Sequence, residues 1–152
     1  MKTRNMEGPL ETAVRLLARR ELTEMELRLK LQHKEFSRSE VDETLEKLRE
    51  KGYIDDERAA QRTIEKLLTD KRHGVRGITE KLRQRGLKVT GEQIRENCSE
   101  EEEWLIALEL VNKHFSTLDV TVFPRLARFL TNRGFSSGIL RRLADECRKH
   151  QY

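Results

Sequence analysis

The sequence predicts an all-α protein made of tandem three-helix repeats, with three units and about nine helices. Three observations support this fold class. Apolar residues recur three and four positions apart along most of the chain, which is the period of one helix face. Gly, Ser, Thr and Asp stand at the ends of these runs, where they favour helix termini. A pair of apolar residues four positions apart also recurs about every 50 residues, a period typical of helical repeats; the pairs are Leu27 and Leu31, Ile78 and Leu82, and Leu126 and Leu130.

The composition favours thin layers of helices over one thick core. Charged residues make up 38% of the 152 residues and hydrophobic residues only 36%, whereas an average globular protein has about 25% charged residues. We therefore expect large exposed helix faces. The predicted segments are a flexible leader over residues 1–9 and three-helix repeats over residues 10–54, 55–98 and 99–152.

The first repeat contains three runs with helical spacing. The first run predicts a buried face of four residues, Leu10, Val14, Leu17 and Ala18. Leu16 lies off that face and suggests a second contact surface. Thr23 followed by Glu26 is a capping-box pattern and predicts the start of the second helix. Ser37 and Ser39 precede a third helix, whose apolar face consists of Val41, Leu45 and Leu48.

A short stretch joins the first two repeats, because it ends the last helix of one and starts the first helix of the next. Gly52 follows the last apolar residue of a helix, where glycine takes the left-handed conformation that ends helices. Asp55 or Asp56 then caps the next helix, because a carboxylate suits exposed amides and the helix dipole. Tyr53 and Ile54 are expected to form the apolar anchor that fixes the direction of that helix.

The second repeat follows the same plan. Its first helix has an apolar face of Ala60, Ile64, Leu67 and Leu68. Gly74 and Gly77 mark the start of the next helix, and Gly86 ends it. The apolar face of that helix consists of Val75, Ile78 and Leu82. Thr90 is the predicted cap of a short third helix.

The third repeat begins at Ser99, a favourable N-cap residue. The acidic run Glu100–Glu103 follows it, where carboxylates favour the helix dipole, and we interpret the run as structural. Apolar residues then surround the whole helix and predict the most buried element of the chain; they are Trp104, Leu105, Ile106, Leu108, Leu110 and Val111. Two further helices follow, with apolar faces of Phe123, Leu126, Ala127 and Leu130, and of Ile139, Leu140, Leu143 and Cys147.

No catalytic motif is present, so we expect a protein that is not an enzyme and uses no cofactor. Cys147 and His150 have the helical spacing of two metal ligands, but no second pair accompanies them, and we expect no metal site. The stretch Gly74–Gly77 resembles a nucleic-acid-binding GXXG loop but lacks the strands of such a domain. We interpret it as the start of a helix.

The two cysteines and the hydropathy pattern predict the compartment. Cys98 and Cys147 have no spacing typical of a disulfide framework and lie on apolar helix faces. We expect free, reduced thiols that pack in the core of a cytosolic protein. No stretch has the length and hydropathy of a signal peptide or a membrane span, so we expect no membrane association.

The charge distribution predicts a contact surface. The net charge is +4, which is compatible with nucleic acid without requiring it. Glu43, Glu46 and Glu50 point outward from the first repeat, whereas outward basic residues dominate the later repeats. Phosphates bind such basic surfaces with release of counterions, and a protein of mixed charge would fit both ends. The candidate binding residues are Lys71, Arg72, Arg76, Arg83, Arg85, Lys88, Arg125, Arg128, Arg141, Arg142, Arg148 and Lys149.

These motifs resemble the RecX family, bacterial regulators of the recombinase RecA. The resemblance extends over most of the chain and is most specific at the stretch Gly52–Asp56. The chain differs from the usual family pattern at Ala59, where Phe is frequent, and at Val75, where Pro is frequent. The other matching residues are Thr23, Glu26, Leu27, Leu31, Leu48, Arg58, Arg72, Gly74, Ile78, Leu82 and Gly86.

The resemblance implies a curved, elongated array of three-helix repeats that acts as a monomer. It also implies a protein that binds in the groove of the RecA–DNA filament, reduces ATP hydrolysis and strand exchange by RecA, and limits filament growth. The candidate basic residues would then contact the filament or its DNA, with weak binding to single- and double-stranded DNA alone.

Two other functions are compatible with the same residues. A helical DNA-binding module of the helix-turn-helix type would also contain three-helix units. Against it, no helix concentrates the Arg, Asn and Gln residues that read base edges, and three unequal copies do not suggest a palindromic dimer. A protein–protein adaptor would bind no DNA at any salt concentration.

Overall fold

A computed structural model describes residues 7–150. Within this range the chain forms nine α-helices and no strand, which confirms the predicted fold class. Residues 1–6 of the predicted leader lie outside the described residues, and Pro9 is the first residue of α1. The helices are α1 (Pro9–Arg19), α2 (Glu24–His33), α3 (Arg38–Glu50), α4 (Asp56–Asp70), α5 (Val75–Gln84), α6 (Gly91–Arg95), α7 (Glu100–His114), α8 (Phe123–Asn132) and α9 (Ser137–Lys149).

The chain divides into two compact units. The N-terminal unit extends to Gln61 and includes Arg85–Leu87, and the C-terminal unit comprises Arg62–Gln84 and the chain from Lys88 onward. The division therefore falls inside α4. Within the N-terminal unit, the hydroxyl of Thr23 donates a hydrogen bond of 2.6 Å to the carbonyl of Arg85.

The helix starts follow the predicted capping residues. Thr23, Ser37, Thr90 and Ser99 each form a complete capping box, in which the side chain accepts from the third amide of its helix. The side chain of that third residue, a Glu or a Gln, accepts in return from the amide of the capping residue. Such a cap stabilises a helix by about 1 kcal/mol, so these four starts are determined by neighbouring residues.

The stretch after α3 has the predicted geometry at its glycine. Gly52 has a φ angle of 71°. The amide of Gly52 donates to the carbonyl of Arg49 at 3.0 Å, and the amide of Tyr53 donates to the carbonyl of Leu48 at 2.9 Å. These two bonds define a Schellman motif. Of the two residues predicted to form the apolar anchor, Ile54 is buried, with 4% of its surface exposed, whereas Tyr53 is 61% exposed and is not part of the anchor.

Both aspartates after Tyr53 bind backbone amides, and they bind different helices. A carboxylate oxygen of Asp55 accepts a bond of 3.2 Å from the amide of Arg58, so Asp55 caps α4. Asp56 instead accepts a bond of 3.0 Å from the amide of Glu24, at the start of α2. The junction thus holds the starts of α2 and α4 together within the N-terminal unit.

The buried face of α1 was predicted only in part, because Leu10 and Leu17 pack on the core of the N-terminal unit as expected, whereas Val14 and Ala18 do not. Val14 is 45% exposed and Ala18 is exposed, whereas Thr12 and Ala13 are buried. Leu16 packs on the core rather than on a second surface. Ala13 was missed because a small side chain contributes little to an apolar pattern, even where it is fully buried. The buried core residues are Ala13, Leu22, Leu27, Leu31, Val41, Leu45, Leu48 and Ile54.

The core of the C-terminal unit is built around α7. This helix buries Trp104, Ile106, Ala107, Leu110 and Val111, as expected of the most buried element, but Leu105 is 54% exposed. Both cysteines pack in this core, as predicted, and burial raises the pKa of each thiol. The remaining buried residues of the cluster are Leu126, Leu130, Phe135, Ile139 and Leu143.

One helix end lacks the glycine that the other repeats have. Glu35 follows α2 with a φ angle of 68°, in the same left-handed conformation as Gly134 after α8. Its amide donates to the carbonyl of Gln32 at 2.9 Å, and the amide of Phe36 donates to the carbonyl of Leu31. A residue with a Cβ is strained by roughly 1–2 kcal/mol in this conformation. Glu35 is therefore a strained, exposed position in the N-terminal unit.

We expect Glu35→Gly to stabilise the protein by about 1 kcal/mol, because relief of this strain exceeds the entropy that glycine adds to the unfolded chain. Urea unfolding followed by circular dichroism would measure the change. The matched control is Glu46→Gly on the exposed face of α3, which should destabilise the protein by about 1 kcal/mol. Equal losses in both variants would contradict a left-handed conformation at residue 35.

Candidate nucleic-acid interface

The start of α5 makes backbone contact with the end of α8 inside the C-terminal unit. The amide of Gly74 donates to the carbonyl of Arg133 at 2.9 Å, and the amide of Gly77 donates to the carbonyl of Gly134 at 3.3 Å. A Cβ on Gly74 would lie 2.5 Å from the carbonyl oxygen of Gly134. The amides of Gly74 and Gly77 are therefore occupied by protein and are not available to a phosphate. Its glycines permit close backbone approach.

A buried carboxylate completes this contact. Glu103, on the first turn of α7, is 1% exposed and accepts a bond of 3.0 Å from the amide of Val75. Its other oxygen pairs with the guanidinium of Arg95 at the end of α6. Glu103 lies in the first turn of its own helix, as expected, and it also caps α5, which was not expected. The arrangement fixes α5, α6 and α7 relative to one another.

Two of the candidate binding residues line a groove in the C-terminal unit. Lys71 and Arg72 lie between α4 and α5, at one side of a groove of about 810 Å³. Lys71 pairs with Glu109 at 3.4 Å, whereas Arg72 forms no ion pair within residues 7–150. The groove also contains residues that were not among the candidate binding residues; they are Thr69, Asp70, His73, Leu110, Lys113, His114, Asn132 and Arg133.

Two more candidate residues line a shallower pocket on α8. Arg125 and Arg128 are exposed on this helix, beside a pocket of about 380 Å³. Phe115, Pro124 and Phe129 form its apolar part. Asn132 and Arg133 line both this pocket and the groove. The structure therefore brings Lys71, Arg72, Arg125 and Arg128 to one continuous surface of the C-terminal unit.

Arg133 joins the two parts of this surface and was missed in the sequence. Its guanidinium lies 3.6 Å from the centre of the Phe129 ring and donates a bond of 3.0 Å to the carbonyl of Phe129. Phe129 also contacts Phe115 edge to face at 5.3 Å and His114 at 5.0 Å. The spacing of four residues between Phe129 and Arg133 is the available signal, because such residues are neighbours on a helix.

The positive charges around His73 affect its protonation. Partial burial and, after it, the charges of Lys81, Arg133 and Arg72 lower the pKa of His73 below its ordinary value. The Nδ1 atom of His73 is buried and forms no hydrogen bond within the described residues. His73 is therefore neutral near pH 7, and the charge of the groove comes from its Lys and Arg residues.

The other candidates on the second repeat do not share one environment. Arg76 and Lys88 are exposed, and Arg83 pairs with Glu80 on its own helix at 2.7 Å. Arg85 binds Glu26 at 2.9 Å inside the N-terminal unit. Burial opposes ionisation of Glu26, but bonds from the amide of Thr23 and from Arg85 outweigh it and hold the pKa of Glu26 below its ordinary value. Arg85 thus contributes to the capping of α2.

The basic face of α9 is largely paired with carboxylates. Arg142 binds Glu101 with two hydrogen bonds, of 2.6 and 3.1 Å, and lies 4.6 Å from the centre of the Trp104 ring. Arg148 pairs with Asp145, and Lys149 pairs with Glu146. Arg141 alone among the four candidates on α9 forms no ion pair with a described residue. As predicted, all four are exposed, and so are Glu43, Glu46 and Glu50 on α3.

The described residues contain no cluster of three His, Cys, Asp or Glu side chains that could hold a metal ion. Over the same range, every helix is too short or too polar to cross a membrane.

Comparison with known proteins gives a consistent result. The family model described as RecX, first three-helix domain, matches residues 10–48. The chain is 30% identical to the regulatory protein RecX of Trichlorobacter lovleyi, with 88% of this chain and 92% of that protein covered. It is 33% identical to the regulatory protein RecX of Vibrio vulnificus, with 90% and 91% covered.

Solved structures support the fold independently. The crystal structure of RecX from Lactobacillus salivarius superposes with a TM-score of 0.75 and 18% identity, over 91% of this chain and 94% of that one. A second crystal structure, of a regulatory protein RecX, gives a TM-score of 0.76 over 90% of this chain and 71% of that one. The identity over nearly the whole length of several relatives shows that this chain belongs to the RecX family of regulatory, non-enzymatic proteins.

Proposed function

We propose that this protein is a negative regulator of RecA, which binds in the groove of the RecA–DNA filament and inhibits ATP hydrolysis, strand exchange and filament extension. Membership of the RecX family is the observation that carries the proposal, since the matches to RecX regulatory proteins cover 88% and 90% of the chain. The protein acts as a monomer and binds bare DNA weakly.

The helix order supports a division into three repeats over residues 10–54, 55–98 and 99–152. The first contains α1 to α3, the second α4 to α6 and the third α7 to α9. A protein made of such repeats offers a long surface for few buried residues, which suits a partner that is itself a long helical assembly.

The predicted binding residues are proposed to contribute unequally to the binding affinity. Arg72, Arg125 and Arg128 form no ion pair within the described residues, and Arg125 and Arg128 are exposed on one face of α8. Their charge is available to phosphates. By contrast, Arg85, Arg142, Arg148 and Lys149 already neutralise carboxylates of this chain. We therefore assign most of the binding affinity to the surface around α8 and the groove.

Titration of this protein into RecA on single-stranded DNA should inhibit ATP hydrolysis at concentrations well below those that coat bare DNA. The physical reason is that a filament offers protein and phosphate contacts together, whereas bare DNA offers phosphates alone. ATP hydrolysis and fluorescence anisotropy of a labelled oligonucleotide would be measured in parallel. Inhibition that appears only where bare DNA is already covered would contradict filament recognition and indicate competition for DNA.

The double variant Arg125→Gln, Arg128→Gln tests the assigned surface in the same assay. It should require about tenfold more protein for half inhibition and should weaken the dependence of binding on salt. Lys47→Gln with Lys51→Gln is the matched control, because it removes two exposed positive charges at the end of α3 in the N-terminal unit. An equal loss in both double variants would show that net charge, rather than the α8 surface, determines the affinity.

Footprinting on bare duplex DNA tests the alternative function. A discrete protected site would favour a helix-turn-helix regulator.

A further inference from the structure

The groove of the C-terminal unit has more positive than negative charge. Lys71, Arg72, Lys113 and Arg133 line it together with the carboxylates of Asp70 and Glu109. Glu109 is balanced by Lys71, at 3.4 Å. Lys113 and Arg72 form no ion pair within residues 7–150. A concave surface with excess charge of one sign concentrates small ions of the other sign.

The guanidinium of Arg133 is held in a fixed orientation at the point where the groove meets the α8 pocket. The Phe129 ring covers one of its faces at 3.6 Å, and the carbonyl of Phe129 accepts one of its hydrogen bonds. Its other donors have no partner among the described residues. A guanidinium oriented in advance loses less entropy when it binds an oxyanion, and its planar fork matches the oxygens of a phosphate.

The two carboxylates restrict the kind of anion that fits. Asp70 and Glu109 would repel a peptide with many acidic side chains, since both line the same groove as the cations. A nucleotide has its negative charge at the phosphate and hydrogen-bond donors on its base, which carboxylates accept. A volume of about 810 Å³ is also in the range of small-molecule sites, roughly 300–1,000 Å³.

We infer that this groove binds a nucleotide unit, with its phosphate on Arg72, Lys113 and Arg133. The inference rests on the proposed function in one respect, namely that the DNA of a RecA filament can supply the nucleotide. A free nucleoside triphosphate offers the same phosphate chemistry, and the experiment separates the two sources.

The groove contains its own reporters. His73 and His114 line it, whereas His33 lies in the N-terminal unit and His150 follows α9. A phosphate near His73 should raise the pKa of His73, because it offsets the nearby positive charges. The groups that act on His73 are Lys81 on α5, Arg133 after α8, and Arg72 and Asp70 beside it; Lys71, Glu109, Lys113 and His114 line the same groove. Binding should therefore strengthen as the pH falls.

The test is NMR of the histidine side chains during separate titrations with a hexathymidylate oligonucleotide, ATP and inorganic pyrophosphate. We expect shifts at His73 and His114 that exceed those at His33 and His150. Shifts with the oligonucleotide assign the DNA strand as a source, and shifts with ATP but not the oligonucleotide assign the free nucleotide. No shift at His73 and His114 with any probe, or equal shifts at all four histidines, would overturn the inference.

A variant that removes two positive charges from the groove provides a second test. Arg72→Gln with Lys113→Gln should weaken binding of the probe that shifts His73 about tenfold and lower the salt slope for a single strand by about 1.4, or about 0.7 per contact. Arg133 is kept, because its guanidinium also packs on the Phe129 ring and donates to the carbonyl of Phe129, so its loss would change the packing of α8 as well as the charge. The double variant Lys47→Gln, Lys51→Gln should bind like the unmodified protein, and an equal loss there would refute the groove site.

The two proposals fail in different ways. If Arg72→Gln with Lys113→Gln binds the probes as tightly as the unmodified protein while the unmodified protein inhibits RecA, the groove site is wrong and the regulatory function stands. If the unmodified protein does not inhibit RecA but binds ATP or pyrophosphate in the groove, the regulatory function is wrong and the groove site stands.

Discussion

Gly134→Ala should destabilise the C-terminal unit by more than about 4 kcal/mol, a large part of the stability of a domain. Gly134 has a φ angle of 77°, which costs a residue with a Cβ roughly 1–2 kcal/mol. The added Cβ would also lie 2.0 Å from the amide nitrogen of Gly77 and 2.3 Å from its Cα. These are backbone atoms, so α5 and α8 must separate and lose the hydrogen bonds between them.

Thermal and urea unfolding, followed by circular dichroism, would measure the loss. Gly74→Ala separates the backbone strain from the steric clash. Gly74 does not have a positive φ angle, so Gly74→Ala would cause only the clash, with its Cβ 2.5 Å from the carbonyl oxygen of Gly134. Gly138→Ala in the first turn of α9 is the matched control. Its Cβ would have no neighbour nearer than 3.7 Å, so the change should stabilise the helix by up to about 1 kcal/mol. A loss of only 1–2 kcal/mol in Gly134→Ala would mean that α5 and α8 are not in contact.

Helix ends were predictable because each depends on a few neighbouring residues. Thr23 with Glu26 and Gly52 after α3 have the geometry expected from their spacing, and Ser99 is the N-cap of α7 as predicted. The left-handed Glu35 was not predictable, because a glutamate at a helix end gives no sign of its conformation. Neighbouring residues therefore determine most helix boundaries of this chain.

The faces of the helices were less predictable than their ends. Val14 and Leu105 are apolar but exposed, whereas Thr12 and Glu103 are polar but buried. An apolar pattern identifies a face only where the side chains on it are large, as in α5 with Ile78 and Leu82. Where a small or polar residue packs at the contact, its burial depends on a partner from another helix. That partner is not adjacent in the sequence.

The candidate interface shows the same limit. The charge of Arg125 and Arg128 was evident in the sequence, and their exposure followed from the helix period. Their relation to Lys71, Arg72 and Arg133 was not evident, because it depends on the contact between the start of α5 and the end of α8. Ion pairing was also not predictable from the sequence. Arg142 is paired with Glu101, whereas Arg125 forms no ion pair with a described residue.

Glu103→Ala should destabilise the protein by about 3 kcal/mol, because it removes two interactions of a buried carboxylate. The amide of Val75 would lose its acceptor, and a buried donor without a partner costs about 1–3 kcal/mol. The guanidinium of Arg95, which is 30% exposed, would lose its counter-charge. Breaking one side of a buried ion pair is costly for this reason. Glu103→Gln keeps an acceptor for Val75 and should lose less.

A double-mutant cycle with Arg95→Met distinguishes the ion pair from simple loss of packing. If the pair is the cause, Glu103→Ala should be less harmful when Arg95 is already Met, since no unpaired charge remains. Glu101→Ala is the control within the same acidic run, because Glu101 is 62% exposed and its pair with Arg142 lies at the surface; its effect should be small. Similar losses for Glu103→Ala and Glu101→Ala, measured by urea unfolding, would exclude a special role for Glu103. A large loss for Glu103→Ala alone would show that this carboxylate ties the start of α5 to the core, and α5 follows directly on Arg72 and His73 of the groove.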